Sequence, residues 1–143
     1  MTHIDFYILH DDASTARWHF VCRLIDKVTR LGHRVLVTLD DPAEAEHLDE
    51  LLWTFKPESF IPHTRLPSDT QEQVEITTDL HSEIPLHNHH NVLINLSRVV
   101  PTYFSRFERL SEVVIQQPEI LKNTREHYSF YRERGYPIQH RNV

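Results

Sequence analysis

Short apolar runs alternate with stretches of helical spacing along the whole of this chain, and few folds accommodate that alternation. Residues 3–9 carry Ile4, Phe6 and Ile8 in a run rich in aromatic and branched side chains, which predicts a buried first strand. Val21, Leu24, Ile25, Val28 and Leu31 then recur at helical spacing, with Asp11, Asp12 and Ser14 ahead of them as candidate caps and Gly32 just beyond. Residues 34–39 (RVLVTL) predict a second strand. Asp41-Pro42-Ala43-Glu44 opens the next helix with an acidic N-cap and proline at the first position. That helix turns Ala45, Leu48, Leu51 and Leu52 inward and stops before Pro57. A polar stretch holding Pro57, Pro62 and Pro67 leads to a short strand at 73–77, and 79–91 reads as a polar, histidine-rich loop. Residues 92–96 (VLINL) are apolar almost throughout, as in a central strand covered on both faces. A short helix at 102–110, a strand at 112–115 and a helix at 118–134 complete the order. The expectation is one α/β domain over residues 1–143, with a mostly parallel sheet and right-handed crossovers.

A small α/β sheet invites a nucleotide, and the glycines argue against one. Phosphate cradles need glycine where backbone approaches the ligand or takes positive φ. The chain has 2 glycines, Gly32 and Gly135, both placed as helix ends, and neither G-x-G-x-x-G nor a P-loop occurs. Asp11, Asp12, Asp40 and Asp41 fall at the carboxyl ends of the first two predicted strands, where open α/β sheets place ligands and where carboxylates can hold Mg²⁺. Each pair also precedes a helix, and capping of free N–H groups is the stronger reading. His81, His87, His89 and His90 share one loop, with His63 upstream, but no H-E-x-x-H or cysteine pairing fixes a metal geometry. Solvated histidines are expected there. No G-x-S-x-G elbow surrounds Ser14, Ser68 or Ser82. Neither cofactor nor metal is expected, and a metal-dependent hydrolase using the strand-end aspartates or the histidine loop stands as the alternative.

Net charge is −6, which disfavours duplex DNA as a direct partner. From Lys122 onward the balance reverses: Lys122, Arg125, Arg132, Arg134 and Arg141 face only Glu126 and Glu133. A basic tail on an acidic body suggests a localised site for an acidic partner. At about 100° per residue, Leu121, Arg125, Tyr128 and Arg132 fall on one stripe of the last helix. Two guanidinium groups around a phenol, above a leucine, suit a short acidic peptide ending in a hydrophobic residue. Trp53, Phe55 and Phe60 gather around the proline-flanked loop as candidate interface anchors. The single cysteine, Cys22, lies within the first helix's apolar periodicity and is expected to be a buried, inert thiol in a reducing compartment. The N-terminus has no basic n-region and no long apolar run, so neither signal peptide nor membrane span is expected.

The segments DFYILHDD, HRVLVTLDD with EAEHLDELLWTFKPESFIPH, VLINLS, and SEVVIQQPEILKNTREHYSFYRERG resemble the chi subunit of bacterial DNA polymerase III over essentially the full chain. The L-D-E-x-L-W…P-E-S-F-[IV]-P-H and R-E-x-Y-x-x-Y-R patterns are the specific parts. The resemblance implies a single-domain, Rossmann-like three-layer α/β sandwich without catalysis of its own. It implies a cytoplasmic, replisome-associated accessory subunit of the clamp-loader complex. Two partners follow from it. The acidic, phenylalanine-ending tail of single-stranded DNA-binding protein would be gripped by Arg125, Tyr128 and Arg132, with Leu121 and Lys122 as neighbours. The psi subunit would dock at Phe60, with Trp53 and Pro62 nearby. DNA would be reached only indirectly. Ser129 stands where relatives often carry a basic residue, which implies a weaker hold on the tail.

Overall fold

In the computed structural model, which describes residues 1–57, 61–82 and 89–143, the strands form one seven-stranded sheet. The chain order is β1 (His3–Ile8), α1 (Ser14–Arg30), β2 (Val35–Thr38), α2 (Pro42–Thr54), β3 (His63–Arg65), β4 (Val74–Thr77), β5 (Val92–Asn95), β6 (Arg109–Val114), α3 (Pro118–Glu133) and β7 (Ile138–Asn142). Across the sheet the order is β3-β4-β2-β5-β6-β1-β7, and every pairing is parallel. The result is the expected Rossmann-like three-layer arrangement.

Strand alternation builds both halves of the core. Val35 and Val37 of β2 join Val21, Cys22 and Ile25 of α1 and Leu48 and Leu52 of α2 on one face. Leu36, between them in sequence, points through the sheet to join Phe6, Leu110 and Tyr131 on the face covered by α3. This is the period-two pattern of a strand buried on both sides.

Two glycines end helices as anticipated. Gly135 has φ +77°, its N–H donates to the Arg132 carbonyl at 3.0 Å, and the Tyr136 N–H donates to the Tyr131 carbonyl at 3.1 Å. These are the two bonds of a Schellman motif, which requires a left-handed residue at this position. The turn sends Pro137 back to accept from the Ile4 N–H at 2.9 Å, so β7 runs up the free edge of β1. Gly32 closes α1 in the same way, with φ +87°.

The structure corrects the sequence reading at several points. β3 and β7 were not expected. Their sequences, HTR and IQHRN, carry no apolar alternation because each is an edge strand held by backbone bonds to a single neighbour. The helix expected at 102–110 is only a 3₁₀ turn at Phe104–Arg106. The Glu108 and Arg109 N–H groups donate instead to the His90 and Asn91 carbonyls at 2.8 and 3.0 Å, so β6 begins before a helix can propagate. The caps differ as well. Asp41 caps α2, accepting from the Glu44 N–H at 2.9 Å, but α1 starts at Ala13 with no side-chain cap. Asp11 and Asp12 contribute carbonyls there, to the Gln116 N–H at 2.8 Å and the Gln117 side chain at 2.7 Å.

Candidate functional site

The last helix, α3, is fixed to the sheet by a buried polar network. Glu112 of β6 is buried, and its carboxylate accepts from His127 Nδ1 at 2.9 Å, Tyr131 Oη at 2.7 Å and Asn95 Nδ2 at 3.2 Å. His127 Nε2 faces the Arg98 carbonyl at 2.8 Å. Both ring nitrogens therefore meet acceptors, an arrangement that only the doubly protonated imidazolium satisfies in full. Burial opposes that charge, but the Glu112 hydrogen bond and carboxylate, with the Arg98 carbonyl, outweigh it and raise the His127 pKa. Burial, reinforced by the same carboxylate, pushes the Tyr131 phenol well up.

With His127 and Tyr131 locked inward, the flank of α3 overhangs the edge of the sheet. Leu121, Thr124, Arg125, Tyr128 and Ser129 form one wall of a cavity of about 680 Å³. Phe6, Ile8 and Val114 supply its apolar floor, and His140 of β7 forms the far wall. Tyr128 leans on Phe6 with ring centroids 6.0 Å apart. Of the expected peptide-binding residues, Leu121, Arg125 and Tyr128 thus share one concavity. Lys122 and Arg132 are exposed on α3 but do not line it.

The basic residues of this segment divide into two groups. Arg141 pairs with the buried Asp5 at 3.0 Å, and Arg134 lies 3.6 Å over the Phe130 ring while donating to the Phe130 carbonyl at 3.2 Å. Lys122, Arg125 and Arg132 make no ion pair or side-chain hydrogen bond among the described residues. The α3 surface therefore carries cations with no internal partner beside an apolar hollow. Such a surface can hold a hydrophobic side chain while a guanidinium at the rim takes a carboxylate.

The second predicted surface is less complete. Trp53 is 54% exposed, its ring 4.6 Å from that of His63, and it borders a separate cavity of about 600 Å³ with Asp49, Arg65 and Ser68. Pro62 is half-buried, its carbonyl accepts from the Val74 N–H at 3.2 Å, and it does not line that cavity. Phe60 lies outside the described residues, as does His87. Ile61, beside Phe60, is buried in the core.

The candidate metal ligands are spread apart. His63 is buried, with Nδ1 2.7 Å from the Ile61 carbonyl and Nε2 2.8 Å from Asp49 Oδ1. His89, expected to be solvated, is buried with Nε2 on the Glu75 carboxylate; desolvation lowers its pKa despite that carboxylate. The reason is that residue 89 stands just before β5, where its ring meets that of Phe107 with centroids 6.2 Å apart. His81 and His90 are exposed. Asp40 is occupied by Arg98, accepting from its N–H at 3.0 Å and meeting its Nε at 3.5 Å. Among the described residues no three His, Cys, Asp or Glu side chains are grouped as a metal site.

Comparison with known proteins bears on what surrounds this architecture. Residues 1–139 match the family described as DNA polymerase III chi subunit, HolC. The chain belongs to that family. It is similar to DNA polymerase III subunit chi of Pseudomonas aeruginosa, with 39% identity over 139 residues that cover 97% of this chain and 95% of the relative. Similarity to subunit chi of Haemophilus influenzae is 28% over 138 residues, covering 96% and 95%. For subunit chi of Escherichia coli (strain K12) it is 28% over 144 residues, covering 96% of each. Membership makes the chain a replication accessory subunit. No described helix is long and apolar enough to cross a membrane.

Sequence reasoning named the α3 side of the hollow and missed the rest. Phe6, Ile8 and Val114 were legible only as core residues. His140 could not be placed because β7 was not recognised.

Proposed function

We propose that this chi-family chain is a non-catalytic adaptor in the polymerase III holoenzyme. It would bridge the acidic C-terminal tail of single-stranded DNA-binding protein to the psi subunit and the clamp loader, in the cytoplasm. The observation that carries the reading is the α3 hollow: an apolar floor with Arg125 at its rim, and beside it Lys122 and Arg132, which have no ion pair among the described residues. A terminal phenylalanine suits the floor, its carboxylate suits Arg125, and the preceding acids suit the outlying cations. The psi contact is assigned to Trp53, Phe60 and Pro62, of which Trp53 and Pro62 stand near β3, at the end of the sheet order away from β7. Two weak contacts joined through one rigid body raise the effective concentration of each partner for the other.

The test is direct. A synthetic peptide of acidic residues ending in phenylalanine should bind with a Kd of about micromolar order, weakening as salt rises. Arg125→Ala should weaken it by at least about tenfold, the scale of a lost charge-assisted bond. Equal binding by wild type and Arg125→Ala removes the assignment.

A further inference from the structure

We infer that the face of β1 and β7 turned away from α3, at the flank of α1, is a binding surface for single-stranded nucleic acid. The inference is independent of the tail-binding reading, because none of its residues lines the α3 hollow. Strand alternation sends Phe6 and Ile8 to the α3 side and leaves Asp5 and Tyr7 on the other. There α1 packs on Val37 of β2 and Val113 of β6, so β1 and β7 form a shelf beside it. Four planar groups stand in series across that shelf. Arg23 lies 5.6 Å over the Phe20 ring, Phe20 and Tyr7 have ring centroids 5.3 Å apart, and Arg141 lies 5.9 Å over Tyr7. Arg23 is exposed and the other three are half-buried. They come from α1, β1 and β7, so no single stretch of sequence shows them together.

The charges around this row favour a polyanion. On α1, Arg23 and Lys27 share one stripe with Phe20 and make no ion pair or side-chain hydrogen bond among the described residues. The acid of that helix, Asp26, is taken by Arg30 at 3.2 Å and Lys56 at 3.9 Å. On the sheet, Asp5 accepts from Arg109 at 3.3 Å and from Arg141 at 3.0 Å, so one carboxylate stands against two guanidinium groups. The other acids of these strand ends, Asp11 and Asp12 after β1 and Glu108 before β6, are exposed beyond the strands themselves. Cations alone would suit any acidic partner, and the stacked planes narrow the choice. A guanidinium layered on an aromatic ring keeps N–H donors at its edge for phosphate and offers its outer plane to a base. Duplex DNA hides its bases and meets a net charge of −6, so the fit is to single strands.

Fluorescence anisotropy of labelled oligo(dT) and oligo(U) tests this, with folding checked by circular dichroism. Wild type should bind at least one of them with a Kd of about 10–100 μM at about 50 mM salt, weakening as salt rises, and the tighter arm names the sugar. Arg23→Glu combined with Lys27→Glu, both at exposed positions, should weaken binding at least about tenfold. Phe20→Leu keeps an apolar side chain against the core but removes the ring, and should weaken binding about fivefold or more. Arg125→Ala, on the other face, should bind like wild type. Failure of wild type to bind either strand overturns the proposal, as does equal binding by the double variant. A loss in Arg125→Ala as large as in the double variant moves the contact to the α3 face and overturns it too. A poly-glutamate peptide that competes as well as oligo(dT), with Phe20→Leu neutral, overturns the nucleic-acid assignment in favour of an acidic protein.

Discussion

Replacing Glu112 by Gln probes the joint between α3 and the sheet. The substitution keeps the side chain's shape but removes its charge and one acceptor oxygen. Three donors converge on that carboxylate: His127 Nδ1, Tyr131 Oη and Asn95 Nδ2. An amide brings an NH₂ among them, leaves at least one donor without an acceptor, and strands the imidazolium of His127. Breaking a buried pair by removing one partner costs about 3–5 kcal/mol. For a chain of 143 residues that corresponds to a Tm lower by about 10–15 °C. The pH dependence carries a second signature. Because the His127 pKa is raised in the folded state, the pair's contribution is complete below the ordinary imidazole value of about 6.5 and is lost as pH rises through the raised value. Wild type should therefore lose stability on the alkaline side, and Glu112→Gln should lose that limb. Urea unfolding followed by circular dichroism at pH 6 and pH 9 measures both effects. A variant within about 1 kcal/mol of wild type, or one with an unchanged alkaline limb, would refute the assignment of a charged His127–Glu112 pair.

His89 acts in the opposite direction. Burial lowers its pKa, so its contribution is present above about pH 6.5 and lost as pH falls below that, and His89→Gln should flatten the acid side of a Tm–pH curve. Gly135→Ala should cost about 1–2 kcal/mol from left-handed backbone strain alone, read as a Tm shift, because no atom lies within 4 Å of the added methyl group. Cys22 is buried and its thiol is pushed up to about 12, so a thiol reagent such as DTNB should react at pH 8 only after denaturant is added. Asp41→Ala removes the cap of α2 and should cost about 1 kcal/mol in urea unfolding.

How much of this was legible in the sequence follows from where each element gets its stability. Central strands such as Val92–Asn95 take it from apolar side chains on both faces, which leave a pattern anyone can read. The edge strands β3 and β7 take it from backbone hydrogen bonds to a single neighbour, which leave none. Half of the candidate site shared that fate. Arg125 and Tyr128 were visible because helical spacing aligns them, whereas His140 reaches the same hollow through a ladder register that spacing does not encode. The buried roles of His63 and His89 were equally hidden, since a histidine in a polar stretch looks the same whether its ring nitrogens meet water or a carboxylate such as Asp49 or Glu75.

The position of the hollow has a physical cause in the same sheet. Open α/β sheets ordinarily keep their ligand crevice at the carboxyl ends of the strands, where glycine turns leave backbone N–H groups free. Here that crevice is lined by Arg17, Asp40, Glu44, Arg98, Glu112, Glu119 and His127, so that acids outnumber arginines, and Glu44 Oε1 is buried with no hydrogen-bond partner among the described residues. Asp40 is held by Arg98, Glu112 by His127, and the Arg17 guanidinium donates to the Val113 carbonyl at 2.9 Å. A crevice so occupied has little left to offer a phosphate. The same network turns α3 by burying His127 and Tyr131, and that rotation is what leaves Arg125 and Tyr128 facing the β1–β7 edge. The charge pair that fills the usual ligand site is thus also the device that opens the hollow beside it.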